Sequence, residues 1–521
     1  MKILSKFKQL KKDIKLIIIT VLIMSCIGVY ATGTCIVAAT ADDVTYNNTT
    51  VSAALDDLYN LTQTYCPPGY ECRELNYVTD CDNNKVYTTT PNNLSGLAKI
   101  MAEAAYLDNG KSEYVTSCNG VSFSDISSDT NGKGVYEIAS TKNDDYPIYY
   151  YRGAVNNNNV KFAGFCWKAV RSTDTGGVKM IYNGTPNGSG NCTNTTGTAT
   201  RIGVSAYNST SISPADVGYM YGTRYPFSKK TSSNLSTAYK YGKDITYSNG
   251  TYTLTNTMTS TGTWSTDYNT LNNNHYTCFS TGTTCTSVYY IFYTDSSNGA
   301  YYITLTNGKK VGDALYDMFD ASDVNTTNST IKTAIDSWYN TNLSSYTNYI
   351  EDTVYCNDRG IAELRGWDPT GGDTTKELSF NTQKRFLTTF TPSLVCSRVL
   401  DRFTVSSSKG NGALTYPVGL ITSDEVMYAG GYKYTENNTY YLYTSLIYWT
   451  ISTNSYGLGH DYNTMAYALI VSTTGTFSGH YVTSDGSGFD DGIRPVISLK
   501  STDVVESGDG TSTNPYVIST S

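Results

Sequence analysis

Tyr448-Trp449-Thr450-Ile451-Ser452 and Gly492-Ile493-Arg494-Pro495-Val496-Ile497-Ser498-Leu499-Lys500 are the two stretches that decide the fold. Their aromatic and β-branched residues predict a strand at each end of one segment. Trp449 is predicted to lie in the core. The Arg494 guanidinium is predicted to pair with a buried carboxylate or with carbonyl oxygens, which would hold the closing strand in place.

The middle of this segment, residues 454–491, is the predicted recognition surface. Aromatic and histidine side chains are spaced through Gly, Ser, Thr and Asn, which is the composition of recognition loops. The alternative is that about half of the aromatic residues face inward, because Tyr467, Leu469 and Val471 alternate as in a half-buried strand. The candidate binding residues are Tyr456, His460, Tyr462, Phe477, His480, Tyr481 and Phe489.

Further strand signals begin upstream, near Tyr146. Residues 160–171 read as strands, Asp174-Thr175-Gly176-Gly177 supplies a turn, and residues 178–183 predict the return strand of a hairpin. A helix is predicted after a cap offered by Asn328-Ser329-Thr330, because apolar residues recur at helical spacing at Ile331, Ala334, Ile335 and Trp338. A helix among many strands predicts an α+β class, mostly β with few helices.

Composition divides the chain into four parts. Residues 1–41 form a signal peptide or a membrane anchor, and residues 42–64 form a short amphipathic helix or stalk. Residues 65–145 form a small cysteine-containing region with a helical patch over 97–107. Residues 146–521 form the main α+β domain, which carries a β-rich insertion over about 185–325.

The first 41 residues read as an export signal. Six lysines precede an apolar run over 16–30, and Ala39-Thr40-Ala41 follows ahead of two aspartates. This order is typical of a secretory signal peptide. Extended to Ala39, the same run would also serve as an uncleaved single-pass anchor in the membrane. Both alternatives predict an extracytoplasmic, cell-surface location for the rest of the chain.

Charge and residue usage argue against several classes of function. The chain has a net charge of −8 at pH 7, and residues 42–521 alone carry −13 because the basic head is excluded. Such a surface argues against binding to nucleic acid. Three histidines are present in no metal-ligand spacing, so we predict no bound metal, no cofactor and no catalytic activity.

Cysteine usage agrees with export. Ten cysteines remain once Cys26 and Cys35 of the N-terminal segment are set aside. An even number in an oxidising compartment favours disulfides. The simplest pairing joins sequence neighbours, 66–72, 81–118, 166–192, 278–285 and 356–396, although spacing does not fix connectivity and free thiols are the alternative.

Several of these stretches recur in the same order in a known group of proteins. Over about residues 160–518 the chain resembles uncharacterised surface proteins of gut-dwelling Gram-positive bacteria. The stretches that carry the resemblance are 165–171 with its hairpin, 331–338, 351–359, 417–426, 448–452 and 492–500. The resemblance covers most of the main domain and implies no assigned activity.

The C-terminal part more distantly resembles the C-type-lectin-like fold of formylglycine-generating-enzyme-type domains. In that fold a W-x-x-S strand and a G-x-R-P strand enclose a surface-exposed segment, as Trp449 to Ser452 and Gly492 to Pro495 do in this sequence. The paired calcium motifs of the lectins and the catalytic cysteine pair of the enzyme are not found. The resemblance therefore implies a fold and transfers neither activity.

Asp485, Asp490 and Asp491 cluster in a Gly-rich loop of the same segment. Carboxylates are ligands that calcium prefers, which makes a calcium site one interpretation. The EF-hand spacing and its terminal Glu are missing, so a solvated turn is favoured.

Two histidines of the segment also suggest a nucleophilic triad. His460-Asp461 or His480 would combine with Ser452 or Ser484. Because no nucleophile motif surrounds either serine, we favour recognition over catalysis.

The sequence thus predicts a ligand-binding or adhesion module without catalytic activity. Its expected partners are an unknown carbohydrate or protein ligand and, through the N-terminal segment, the membrane. The alternatives are a surface hydrolase that acts on glycan, which would need two facing carboxylates in a cleft, and a structural envelope protein.

Overall fold

The computed structural model describes most of the main domain and short pieces of the N-terminal part. The described residues are 45–46, 49–50, 70–71, 77–79, 85–87, 90–91, 94–108, 122–124, 134–138, 148–173, 175–224, 228–230, 239–260, 275–278, 284–295, 299–315, 324–365, 376–458, 464–484 and 491–520. The chain divides into two compact units, Met1–Asn76 and Tyr77–Ser521.

The first unit is described through three short strands. Thr45–Tyr46 pairs antiparallel with Thr49–Thr50, and Tyr70–Glu71 follows. The predicted signal or anchor over 1–41 and the predicted helix within 42–64 lie outside the described residues. Among the helices that are described, none is long and apolar enough to cross a membrane.

Among the described residues of the second unit, we label four α-helices: α1 at Gly96–Asp108, α2 at Thr330–Asn342, α3 at Asn381–Lys384 and α4 at Ser423–Ala429. Helix α2 begins as predicted, because the Ser329 side chain accepts a hydrogen bond from the Lys332 N–H. Shorter helical turns are Thr198–Thr200, Pro214–Val217, Ser344–Tyr349, Val399–Asp401 and the π-helical turn Arg385–Thr389, and residues 311–315 are also helical.

Sheet 1 contains the predicted hairpin. Phe165–Ser172 pairs antiparallel with Val178–Tyr182, and the register places Trp167 opposite Tyr182. The eight strands are, in spatial order, Val496–Leu499, Val178–Tyr182, Phe165–Ser172, Asn159–Phe162, Tyr516–Ile518 and Val505–Ser507, with Ile148–Tyr151 and Val135–Ile138 joined through Phe165–Ser172.

Sheet 2 is built around the long strand Tyr448–Leu458. The segment predicted as a variable surface is largely sheet, since Thr464–Val471 pairs with Tyr448–Leu458, and Phe477–Tyr481 pairs with Thr464–Val471. The seven strands are Gly203–Val204, Gly492–Ile493, Tyr448–Leu458, Lys376–Phe380 and Ile361–Arg365, with Thr464–Val471 and Phe477–Tyr481 added beside Tyr448–Leu458.

Sheet 3 is the predicted β-rich insertion. Its seven strands are Ser228–Lys230, Gly299–Thr306, Ser287–Asp295, His275–Cys278, Tyr239–Ser248, Thr251–Ser260 and Thr284–Cys285. The short strands outside the three sheets are Tyr77–Thr79, Lys85–Tyr87, Thr90–Pro91, Met220–Tyr221, Thr327–Asn328, Tyr355–Cys356 and Arg402–Phe403. The α+β class, mostly β with few helices, is confirmed.

The core contains Trp449, as the sequence predicted, and Trp449 is fully buried. Trp167 is also fully buried, and its ring makes an edge contact with Trp338 of α2. Disulfides join Cys166 to Cys192, Cys278 to Cys285 and Cys356 to Cys396, as neighbour pairing predicted. The predicted 66–72 and 81–118 pairs lie outside the described residues.

Candidate functional site

The predicted recognition segment does not form one exposed surface. The Tyr456 and Phe477 side chains are buried on opposite faces of sheet 2, so both faces of the sheet are covered at these positions. The Tyr456 hydroxyl donates to the Ile212 carbonyl, and the Phe477 ring packs 5.8 Å from the Phe386 ring. Assigning these two residues to a ligand surface was wrong, and the inward-facing alternative describes them correctly. His460, Tyr462 and Phe489 lie outside the described residues.

The last two candidates lie on the strand Phe477–Tyr481. Tyr481 is 40% exposed and its ring lies 4.6 Å from the Tyr467 ring. The His480 Nδ1 lies 2.5 Å from Oδ2 of the buried Asp491. Ser452, one of the proposed nucleophiles, is buried, and its hydroxyl accepts the Ser423 N–H at the start of α4. The Ser452 hydroxyl therefore helps to hold a helix terminus.

A different site lies between the sheet 1 hairpin, residues 352–358, residues 393–396 and the start of α4. It is a cleft of about 410 Å³, a volume in the usual range for ligand pockets. We call it the charged cleft; its charged lining residues are Arg171, Lys179, Asp352, Asp358, Arg385, Arg402, Lys409, Asp424 and Glu425.

A β-bulge places two cations at one wall of the charged cleft. The register of the hairpin shifts between Ala169 and Arg171, so that Arg171 pairs with Lys179 across the two strands. Bulges re-aim side chains in this way. The Arg171 Nε lies 2.7 Å and the Lys179 Nζ lies 2.9 Å from the same Glu425 oxygen, Oε1. The three side chains form a buried ion network.

Glu425 also closes the start of α4. Its second carboxylate oxygen accepts the Thr422 N–H, while the Thr422 hydroxyl accepts the Glu425 N–H, a reciprocal capping box. Burial alone would raise the pKa of Glu425, but the charges of Lys179 and Arg171 outweigh it and lower the pKa to about 2. Glu425 is therefore a fixed anion whose lone pairs are already used.

Arg385 holds two more carboxylates of the charged cleft. Its Nε lies 2.6 Å from Asp424 Oδ1, and its Nη2 lies 2.6 Å from Asp358 Oδ2. The Ser393 N–H also donates to Asp424. Burial raises the pKa of Asp358, although the Arg385 charge opposes the shift. Arg385 opens the π-helical turn Arg385–Thr389, and such turns occur frequently at functional sites.

The outer wall of the charged cleft is fixed by backbone contacts. Both carboxylate oxygens of Asp352 accept backbone N–H groups, from Val405 and Ser406, at 2.8 Å. The Arg402 Nε donates to the carbonyl of Cys396, one half of the Cys356–Cys396 disulfide. The Lys409 ammonium donates to the Asp352 carbonyl at 3.0 Å. The disulfide thus ties two of the segments that line the cleft.

Some N–H donors of the cationic side chains in the charged cleft are not used by the hydrogen bonds within it. Each of the four carboxylates accepts at least one N–H or ammonium donor. Within the described part of the chain, the two terminal nitrogens of Arg402 and Nη2 of Arg171 donate to no partner. Lys409 is exposed and uses one acceptor of the three it can bind. Free donors at fixed cations suit an anionic ligand.

Sequence reasoning missed the charged cleft. One local signal was available: Thr422-Ser423-Asp424-Glu425 follows an apolar run and reads as a capping box. A second was the presence of Arg171 and Lys179 inside strands that are otherwise apolar, since buried charges must be paired. Neither signal identifies its partners, which come from segments more than 200 positions apart.

Metal binding finds no support in the described residues, among which no three His, Cys, Asp or Glu side chains are placed to hold an ion. Asp485 and Asp490 lie outside them, so neither the favoured solvated turn nor the calcium alternative is tested there. No protein family, curated protein or solved structure matches the chain.

Proposed function

We propose that this chain is an exported cell-surface protein with a C-type-lectin-like domain that acts as a ligand-binding or adhesion module. The charged cleft is the recognition site. The observation that carries the proposal is the surplus of guanidinium donors around carboxylates that are already paired. A rigid network of this kind is pre-organised, so little ordering opposes the binding of a complementary group.

The proposed location rests on the N-terminal sequence and on the cysteines. The basic head and apolar run of residues 1–41 support export, either as a cleaved signal or as a single-pass anchor. Three disulfides in the second unit support an oxidising compartment. The net charge of −8 continues to argue against nucleic acid as the partner.

A surface hydrolase that acts on glycan is the second candidate, and one observation favours it. Asp358 and Asp424 line the same cleft, and burial raises the pKa of Asp358, as a general acid requires. Both carboxylates, however, already accept hydrogen bonds from Arg385, which holds them away from the position of a general acid. We therefore favour binding. Release of reducing sugar from a polysaccharide panel, abolished by Asp424→Asn, would establish the hydrolase instead.

The proposal is tested with glycan and protein arrays probed by the full-length protein in detergent. We expect at least one class of ligand to bind, and we expect the double variant Arg402→Gln/Lys409→Gln to lose that binding by about tenfold or more. The matched control is Lys309→Gln/Lys310→Gln, which removes the same charge just after the sheet 3 strand Gly299–Thr306. No binding to either array would favour a structural envelope protein.

A further inference from the structure

The ligand of the charged cleft is narrowed by what surrounds it. We infer that the cleft binds an acidic peptide segment of a partner protein, in which the acidic side chains are flanked by aliphatic residues. The inference rests on the proposed function and specifies the partner of that same site. Two independent features carry it: the open cationic edges inside the cleft and a group of exposed aliphatic residues near it.

The cationic edges select an anion. Five cations and four carboxylates line the cleft, so the lining is positive although the whole chain is negative. Arg402 is fixed through Nε at 2.6 Å from the Cys396 carbonyl, which leaves its outer edge directed away from that bond. A guanidinium held in this way can bind a carboxylate through two parallel hydrogen bonds. Lys409, whose ammonium donates to the Asp352 carbonyl, adds a second cation to the same lining.

Five exposed aliphatic residues lie close in the chain to residues that line the cleft, or are linked to that part of the chain by hydrogen bonds. We call these residues the aliphatic rim; they are between 37% and 58% exposed, and they are Val324, Val395, Val399, Leu400 and Val405. Val395 lines the cleft itself, and the Val405 N–H is bound by Asp352 of the cleft. The Asn325 side chain donates to the Leu400 carbonyl, which links Val324 to the same group. Exposed aliphatic side chains that gather near a cleft are typical of interaction surfaces.

These features favour a peptide over a glycan. Among the described residues that line the cleft none is aromatic, whereas sugar rings bind proteins largely by packing their C–H faces on aromatic rings. The carboxylates of Asp352 and Asp424 already accept N–H donors, which leaves fewer lone pairs for sugar hydroxyl groups. Valine and leucine side chains on the rim match aliphatic side chains of a peptide, because burial of apolar surface on both partners favours binding.

The cationic edges inside the cleft and the aliphatic rim together define the ligand. A cleft of about 410 Å³ admits one or two side chains and not a folded domain. The acidic side chains would enter it and meet Arg402, Lys409 and Arg171. Neighbouring aliphatic residues of the same peptide would then lie on the aliphatic rim. This arrangement has a desolvated anchor and a surrounding apolar ring, as in protein interfaces with strong central contacts.

The test uses the full-length protein and a fluorescein-labelled peptide, Val-Leu-Glu-Glu-Leu-Val, followed by fluorescence anisotropy. Two matched peptides replace both glutamates with glutamine or all four aliphatic residues with serine, and hexagalacturonate is the acidic glycan competitor. We expect each peptide change to weaken binding by about tenfold or more. We expect the same loss from Arg402→Gln/Lys409→Gln, and no loss from Lys309→Gln/Lys310→Gln.

The outcomes separate this inference from the proposed function. Equal binding of the glutamate and glutamine peptides would overturn the claim that the ligand is an anion. Tighter binding of hexagalacturonate would overturn the claim that the ligand is a peptide. In both cases the cleft remains the binding site if Arg402→Gln/Lys409→Gln still weakens binding. Absence of binding by the peptide up to 1 mM, about the weakest affinity of a specific site, overturns the inference. An array ligand whose affinity ignores the cleft variant overturns the proposed function as well.

Discussion

At the scale of single residues, Arg494 holds the closing strand from inside the core. Its side chain is 1% exposed and donates to the carbonyls of Tyr182 and Leu442 and to the Asn183 side chain, at 3.1 to 3.2 Å. Its guanidinium also lies 4.8 Å from the centre of the Tyr448 ring. The Arg494 side chain thus links Tyr182 of sheet 1, Tyr448 of sheet 2 and Leu442, which lies in neither sheet.

Arg494→Met is therefore expected to destabilise the fold strongly. The substitution keeps most of the side-chain volume but leaves three buried acceptors without donors, which costs about 3 to 5 kcal/mol. Urea unfolding measures the loss, with the exposed Lys310→Met as the control. A loss below about 1 kcal/mol would show that water replaces the guanidinium.

Glu425 links the charged cleft to pH. Its pKa in the folded chain is about 2, below the ordinary value of 4.5. A depressed pKa means that the ionised carboxylate stabilises the fold above pH 4.5 and that this contribution is lost as the pH falls towards 2. The contribution is about 3 kcal/mol at neutral pH.

We expect Glu425→Gln to be several kcal/mol less stable than the native chain at pH 7, because Lys179 and Arg171 lose their anion. Urea unfolding between pH 7 and pH 2.5 should show the two chains converge below pH 4.5. A difference that does not change with pH would mean that the ion network contributes nothing to stability.

At the scale of elements, sheet 2 shows why the segment at 454–491 was misread. Polar groups of this segment are buried with partners: the Tyr456 hydroxyl donates to the Ile212 carbonyl, and the Asp491 carboxylate lies beside the His480 ring. A sequence pattern scores such residues as exposed because it does not show their partners. The hairpin over 165–182 and helix α2 were predictable, since their turn, cap and periodicity are local.

The two ends of the strand Phe477–Tyr481 are expected to respond differently to truncation. Phe477→Ala removes a buried ring and should cost about 3 to 5 kcal/mol. Tyr481→Ala removes a ring that is 40% exposed and should cost about 1 kcal/mol or less. Thermal unfolding of both variants provides the comparison. Equal losses would contradict the core position assigned to Phe477.

The Cys356–Cys396 disulfide is the element that should matter most for binding. It closes a loop that contains Asp358, Arg385 and Ser393, all in the lining of the charged cleft. Cys356→Ser/Cys396→Ser is expected to lose about 2 to 4 kcal/mol of stability and to weaken ligand binding. Cys166→Ser/Cys192→Ser is the control, with a similar loss of stability and unchanged affinity in the folded fraction. Equal ligand affinity of the two disulfide variants would show that the Cys356–Cys396 disulfide does not support the binding site.

At the scale of the whole molecule, the charged cleft is assembled from segments that are distant in sequence. Arg171 and Glu425 are 254 positions apart, and their contact exists only once sheet 1 and α4 have packed together. The fold class followed from local signals, but a site of this kind depends on long-range pairing that composition and spacing do not show. The same property makes the site rigid, since each lining segment is fixed by its own hydrogen bonds or by the disulfide.

The most direct test of this account is hydrogen–deuterium exchange of the full-length protein with and without a saturating array ligand. Recognition at the charged cleft predicts slower exchange in residues 352–358, 393–396 and 402–409, with exchange in 477–484 unchanged. Those segments carry the backbone groups that line or support the cleft. Protection confined to residues 454–491, with none at the cleft, would contradict it.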